Sequence, residues 1–325
     1  MQRYGAEITG GSEMLCRQVA ERLLGRYDVE VITTSALDHL SWQKHYPAGL
    51  TTLNGVSVRR FDAAEERNRP RFQELYDRLF ASPLTPAEES DLIRYQGPYA
   101  PALVEHLRTR QNDYAAFLFF TYLYYPTIAG LPEVRHKAAL VPTLHDESSL
   151  YLHTLDALFH MTPWLLFLTP EEMLLAQRRF NLPAHSGRLA GIGIEDAEVG
   201  AADPAWPALR DRLRDKRVLT YIGRVENGKG CDELTAFFEH WAAEQGRRDV
   251  VLLLLGNRTM KLPDHPQIIA PGFVSEYVKY HALEHTDVAV APSPLESLCI
   301  AALESWLHQR PVLANGRSPV LAGHC

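Results

Sequence analysis

The chain lacks the cysteine spacing of a stapled or metal-bound protein. Its four cysteines, Cys16, Cys231, Cys299 and Cys325, form no CxxC pair and no metal-ligand spacing, which points to reduced thiols and excludes a disulfide framework. It lacks an apolar signal core in its opening MQRYGAEITGG. Its longest apolar run, VVLLLLG (250–256), is far too short to cross a bilayer. A soluble, cytoplasmic protein is expected, one that could still dock peripherally on the inner membrane face. It also lacks a positive balance: a formal charge of −7 and a pI near 6.1 give no general attraction for nucleic acid, although local clusters such as RLRDKR exist. HExxH, the Walker spacing GxxxxGK[ST] and the dinucleotide fingerprint GxGxxG are all missing, and the fourteen histidines show no paired spacing, so no metal site is inferred.

What is present is ordinary globular composition, 46% hydrophobic and 22% charged over 325 residues. That is more length than one core usually organises, so two domains are expected. Strand-length apolar segments alternate with helix-length amphipathic ones, the pattern of parallel sheets with crossover helices. Candidate strands are VEVITT (29–34), VSVRRF (56–61), AAFLFFT (115–121), AALVPTL (138–144), WLLFLT (164–169) and RLAGIGI (188–194). The acidic, proline-containing EDAEVGAADPAWPALRD then reads as a linker leading into a short helix, which places the domains at 1–195 and 196–325. A second series follows: RVLTYIGR (217–224), a helix from Cys231 to Gln245, VVLLLLG, QIIAPG, a helix EYVKYHALE, VAVAPS (288–293), another helix, and PVLAN (311–315). Two successive Rossmann-like α/β domains facing across a cleft are the expected architecture.

Ligands of open α/β sheets sit at the carboxyl ends of strands, so the strand-to-helix junctions hold the candidate site. In ITGGSEMLC, Gly10 and Gly11 precede a helix that Ser12 could cap; the turn could admit an anion to the helix N-terminus or be only a turn. In YIGRVENGKGCDEL, Arg224 and Lys229 stand among Gly223, Gly228 and Gly230. Two cations on a glycine-rich turn suit a diphosphate, although a solvated loop would look the same. In VPTLHDESSL, His145 and Asp146 end a strand, where a histidine can face a substrate oxygen or serve structure alone. In VAVAPSPLESLCIAALESW, Glu296 follows a Pro-Ser-Pro turn and Glu304 lies on the next helix. Packing through Ile300, Leu303 and Leu307 would turn Glu304 inward. The plainer alternative makes Glu296 a helix cap and Glu304 a solvated acid.

Taken together, the order of a Gly-Gly loop, a His-Asp strand end, a GR…GKG loop, and PS…E-x7-E before a PV strand resembles the retaining glycosyltransferases of family four, which have the two-domain GT-B fold. The resemblance runs from Tyr4 to Cys325. Its most specific parts are YIGRVENGKG and PSPLESLCIAALESW…PVLANG.

The resemblance implies a metal-independent hexosyltransferase whose second domain holds a nucleotide-diphosphate sugar as donor substrate, with no resident cofactor. It implies that Arg224 and Lys229 grip the diphosphate, that Glu304 accepts from the ribose hydroxyls, and that Glu296 lies near the transferred sugar. The amides of Leu298, Cys299 and Ile300 would face phosphate and sugar, while Gly256 and the turn holding Gly272, Phe273 and Val274 would frame the base. In the first domain, Gly10 and Gly11 would lie against phosphate or acceptor, and His145 would face the reacting sugar. The acceptor would be a saccharide, a lipid-linked molecule or a small molecule.

Two departures from the family stand out. Ser297 and Cys299 occupy positions where the family often has glycine. The chain also reads as shortened at both ends, with a first strand and a final crossing helix missing, so that a second copy of the chain could supply the strand. The rival readings are a nucleotide-sugar-binding fragment with little or no transfer activity, and another α/β enzyme such as a dehydrogenase, against which the missing GxGxxG counts.

Overall fold

A computed structural model describes residues 1–8, 10–194 and 201–324. Thr9, Cys325 and residues 195–200, where the linker and the 195/196 boundary are expected, lie outside the described residues. The chain divides into two compact units, Met1–Ile192 and Gly193–Cys325.

The first unit runs α1 (Gly11–Leu23), β1 (Glu30–Thr34), β2 (Gly49–Leu53), β3 (Val56–Phe61), α2 (Arg69–Arg78), α3 (Pro86–Gln96), α4 (Pro101–Arg110), β4 (Phe117–Phe120), α5 (Tyr125–Gly130), β5 (Ala138–Val141), α6 (His153–Met161), β6 (Trp164–Phe167), α7 (Pro170–Phe180) and β7 (Arg188–Leu189). Its strands form two sheets, β1-β3-β2 and β4-β5-β6-β7. The opening residues touch both: Thr34 Oγ1 donates to the Gln2 carbonyl at 2.7 Å, and Thr121 Oγ1 donates to Gln2 Oε1 at 3.3 Å. The core gathers Phe117, Leu140, Phe167 and a stacked Phe159–Phe180 pair whose ring centroids lie 4.0 Å apart.

Two expectations are corrected here. β2 is absent from the sequence reading, yet it pairs antiparallel with β3 through a turn at Asn54 and Gly55, both with positive φ. An Asn-Gly pair between apolar alternations is the hairpin signal that reading overlooked. The segment 188–194 keeps only two residues of strand, since Gly191 turns to φ +61° and the ladder ends.

The second unit runs α8 (Ala205–Leu213), β8 (Arg217–Ile222), α9 (Cys231–Gln245), β9 (Val250–Leu255), β10 (Ile268–Gly272), α10 (Glu276–Glu284), β11 (Val288–Ala291), α11 (Ile300–Leu307), β12 (Val312–Ala314) and α12 (Pro319–His324). Its five strands are parallel in the order β10-β9-β8-β11-β12. Every residue of β9 is buried, and the alternation shows why the run is uniformly apolar. Val251, Leu253 and Leu255 enter a core with Trp206, Ile269 and Val278, while Val250, Leu252 and Leu254 enter another with Tyr221, Cys231 and Phe238.

Candidate functional site

The carboxyl ends of β8, β9 and β10 meet through glycines. Gly223 (φ +149°) donates its N–H to the Leu255 carbonyl at 2.9 Å, and Gly256 (φ +143°) donates to the Gly272 carbonyl at 2.9 Å. A Cβ on Gly256 would fall 1.9 Å from the Gly223 carbonyl oxygen, so only a bare α-carbon permits this approach. The next turn, Phe273 to Ser275 in sequence, leaves Phe273 exposed and Val274 packed on the core. Ser275 caps α10 and donates its hydroxyl to Asp203 at 2.6 Å.

A second approach joins the GKG loop to the Pro-Ser-Pro turn. Gly230 takes φ +73°, and a Cβ there would sit 2.6 Å from the Pro292 carbonyl oxygen. The same oxygen accepts from Asn315 Nδ2 at 2.7 Å, which ties in the end of β12. Across this contact Lys229 Nζ donates to Glu296 Oε1 at 2.8 Å, both side chains being largely buried. Arg224 stands on the same loop. Its carbonyl accepts from the Tyr221 hydroxyl at 2.7 Å, and its half-exposed guanidinium reaches Glu226 at 3.1 Å. Burial drives the Tyr221 phenol well above its ordinary pKa, so it stays a donor that anchors the loop.

Glu296 therefore pairs with a lysine and does not cap α11. The N-cap is Cys299, at φ +67° and ψ +73°, a left-handed conformation unusual outside glycine. The position where the resembled family often has glycine is thus one where the backbone asks for it. Burial pushes the Cys299 thiol up to about 12, so it is protonated and no nucleophile. Leu298 is buried, with its carbonyl oxygen 2.6 Å from His324 Nε2. Leu298, Cys299 and Ile300 lead into the first turn of α11, where amides have no carbonyl one turn back to bond to.

Glu304 is only 6% exposed, so it is no solvated acid. The reason differs from the expected one: α11 buries Ala302, Glu304 and Ser305, whereas Leu307 is exposed and Ile300 and Leu303 are only partly covered. Its carboxylate meets Lys279 Nζ at 2.7 Å. The sequence reading missed Lys279, because a lysine between Val278 and Tyr280 gives no local signal of burial.

The first-unit residues are separate matters. α1 begins at Gly11 with Gly10 as N-cap, so Ser12 is not the cap; it donates to Glu13 Oε2 at 3.0 Å. Glu13 folds back over Gly10, whose Cβ would lie 2.2 Å from Glu13 Oε2. Burial opposes ionisation of Glu13, yet the Arg3 guanidinium, donating from Nε at 3.1 Å, holds its pKa below the usual value. The chain's own carboxylate thus lies over Gly10 at the start of α1, where an anion is favoured. His145 Nδ1 is buried, lies 3.5 Å from Glu147 Oε1 and makes no hydrogen bond. Glu172 accepts from the amide of Leu144, the residue before His145, at 2.8 Å and from the Leu168 amide at 2.7 Å, tying together the ends of β5 and β6. Among the described residues, no three or more His, Cys, Asp or Glu side chains gather in a metal-holding group, and no helix is long and apolar enough to cross a membrane.

Residues 216–321 match the family model described as glycosyl transferases group 1. Solved structures resemble the whole chain. A trehalose-6-phosphate synthase, OtsA, superposes with TM-score 0.72 at 12% identity, covering 99% of this chain and 85% of its own. An alpha,alpha-trehalose-phosphate synthase (UDP-forming) from Burkholderia xenovorans, in complex with glucose-6-phosphate, gives 0.69 at 10% identity, with 99% and 85% covered. HepE from Anabaena, in complex with UDP and glucose, gives 0.63 at 14% identity, with 98% and 81% covered. No curated protein matches significantly by sequence. At these identities the structural likeness speaks for the fold. The chain thus has the GT-B fold, and residues 216–321 of its second unit match the model of the glycosyl transferases group 1 family.

Proposed function

We propose that the protein moves a sugar from a nucleotide-diphosphate sugar to an acceptor with retention of anomeric configuration and without a metal. The observation that carries this reading is the Lys229–Glu296 pair, because it places a phosphate-seeking cation beside a hydroxyl-seeking carboxylate at the meeting of two strand ends. A glycosyl–phosphate bond lies between such groups. As it breaks, negative charge grows on the departing diphosphate. In this reading Arg224, Lys229 and the amides of Leu298, Cys299 and Ile300 receive it. Glu296, released from Lys229 by the phosphate, accepts from hydroxyls of the transferred sugar, and Glu304 accepts from the ribose. Gly272, where a Cβ would meet nothing within 4 Å, leaves room for the base beside the exposed Phe273 and the packed Val274, while Gly256 holds the strand ends against Gly223. Attack from the same face, with the leaving phosphate taking the acceptor's proton, accounts for retention without a covalent nucleophile. His145 belongs on the acceptor side, where its partly exposed ring meets a sugar oxygen through Nε2, the Nδ1 edge being buried against Glu147. The UDP held by HepE and the glucose-6-phosphate held by the Burkholderia synthase make a uridine diphosphate sugar and a sugar phosphate the first donor and acceptor to test.

Calorimetry with UDP, GDP and ADP and their sugars, followed by a product assay, tests the proposal. Donor binding with transfer to an acceptor is expected. Binding with neither transfer nor hydrolysis would support a nucleotide-sugar-binding protein instead, and binding of none would remove the donor site altogether.

A further inference from the structure

Each acid of the E-x7-E pair is met by a lysine, but the two pairs differ in kind. Lys229–Glu296 leaves the lysine side chain 28% exposed, whereas Lys279–Glu304 is sealed, at 9% and 7%. Lys279 rises from α10, and its Nζ lies 2.7 Å from both Glu304 Oε1 and Glu276 Oε2; Glu276 is 58% exposed. The ammonium also lies 4.8 Å from the Tyr280 ring centroid. Two charges taken out of water in this way are often no more stable than well-packed apolar residues, so stability alone does not account for the pair. A buried carboxylate without a counter-charge would take up a proton, and a protonated carboxyl becomes a donor at one oxygen. An ionised one accepts at both, as a vicinal diol requires.

We propose that Lys279 is a positioning residue: paired with Oε1, it aligns the Glu304 carboxylate so that it can accept from the ribose hydroxyls of the nucleotide. The inference rests on the donor-site reading above. Burial works against the charge on Lys279, but Glu304 and Glu276 outweigh it and raise the lysine above its ordinary pKa, which keeps the ammonium charged at neutral pH. Glu276 restrains Lys279 from the solvent side. The tether therefore fixes the lysine at two points and Glu304 at one.

The test uses the full chain with UDP, GDP and ADP, the 2′,3′-dideoxy form of each, and inorganic pyrophosphate, read by calorimetry. The wild type should bind a ribose-bearing diphosphate about tenfold or more tighter than its dideoxy form, the scale of a hydrogen bond to a charged group. Lys279→Met and Lys279→Gln should bring that ratio towards one while leaving pyrophosphate affinity unchanged, which a general loss of structure would not do. In a Glu304→Gln background, which lowers the ratio itself, adding Lys279→Met should change it no further. A folded Lys279 variant that keeps the wild-type ratio, or a wild type that binds the diphosphates without discriminating the hydroxyls, overturns the inference and leaves diphosphate binding standing. Wild type that binds no probe overturns the donor-site reading itself. If the variants do not fold, the Lys279 15Nζ resonance of the wild type serves: it should shift with the ribose-bearing probe and stay put with the dideoxy form, and indifference to that change overturns the inference.

Discussion

Lys229 Nζ donates to Glu296 Oε1 at 2.8 Å, joining residues 67 positions apart. In this conformation the cation proposed for the diphosphate is held by the acid proposed for the sugar, so the two must separate for a donor to bind. Glu296→Gln should therefore tighten UDP binding a few-fold, by freeing Lys229, while product formation falls. Lys229→Ala should weaken UDP binding by roughly 10- to 100-fold, the range for a charge-assisted hydrogen bond. Calorimetry checks both, and unchanged UDP affinity in Glu296→Gln would break the proposed exchange.

Arg224→Ala should cost diphosphate affinity far more than nucleoside affinity, because it removes a phosphate contact. Equal losses for UDP and uridine would contradict that role. Chelator should leave donor binding nearly unchanged, and a strict magnesium requirement in the transfer assay would contradict a metal-free grip.

The close glycine approaches make steric predictions. Gly256→Ala places a methyl 1.9 Å from the Gly223 carbonyl oxygen in a positive-φ backbone. Unfolding in urea should show a loss of about 2 kcal/mol or more. Gly230→Ala meets the Pro292 carbonyl oxygen at 2.6 Å and should push the GKG loop off the Pro-Ser-Pro turn, weakening diphosphate binding as well as stability. Two variants as stable as the wild type would show that these loops do not meet as described.

Cys299 sits at φ +67°, in the left-handed region. Cys299→Gly should be neutral or stabilising by up to about 1 kcal/mol, since the left-handed penalty disappears. Cys299→Val, β-branched at the same backbone angle, should be destabilising by about 1 kcal/mol or more. Urea unfolding of the pair would settle the order, and Val more stable than Gly would contradict the backbone assignment.

Burial pushes the Glu172 carboxyl up to about 8, although backbone amides of both neighbouring strand ends pull the other way. A carboxyl raised above its unfolded value binds more protons folded than unfolded, so its contribution is full below the unfolded pKa and declines as pH rises. From about pH 5 to 8 it should lower stability by up to roughly 1.4 kcal/mol per pH unit. The stability gap between the wild type and Glu172→Gln should narrow over that window, and a gap independent of pH would show that Glu172 is ionised throughout.

Periodicity carried the second unit far. The helix 276–284 has the bounds its sequence suggested, and VVLLLL reads as a strand buried on both faces because its two residue sets enter two cores. In the first unit the Asn54–Gly55 hairpin was legible but competed with a uniform parallel pattern. Ser12 looked like a cap because its side chain can be one, but the cap falls two residues earlier, at Gly10, and Ser12 turns to Glu13. Glu304 was expected inward through Ile300, Leu303 and Leu307, yet the helix is rolled so that Ala302, Glu304 and Ser305 face in. An eight-residue helix holds too few apolar residues for its pattern to fix its own rotation.

The residues alone determined the alternation of strands and helices, the glycines at strand ends and the spacing of the two acids, because each is a local matter of period and backbone freedom. Which lysine meets which acid was decided only by the tertiary structure. Parallel order brings β8 beside β11, so the loop after one strand lies against the turn after the other, and Lys229 reaches Glu296. The fold brings Lys279 on α10 to Glu304 on α11 across 25 positions, and with both side chains under a tenth exposed each charge needs a partner.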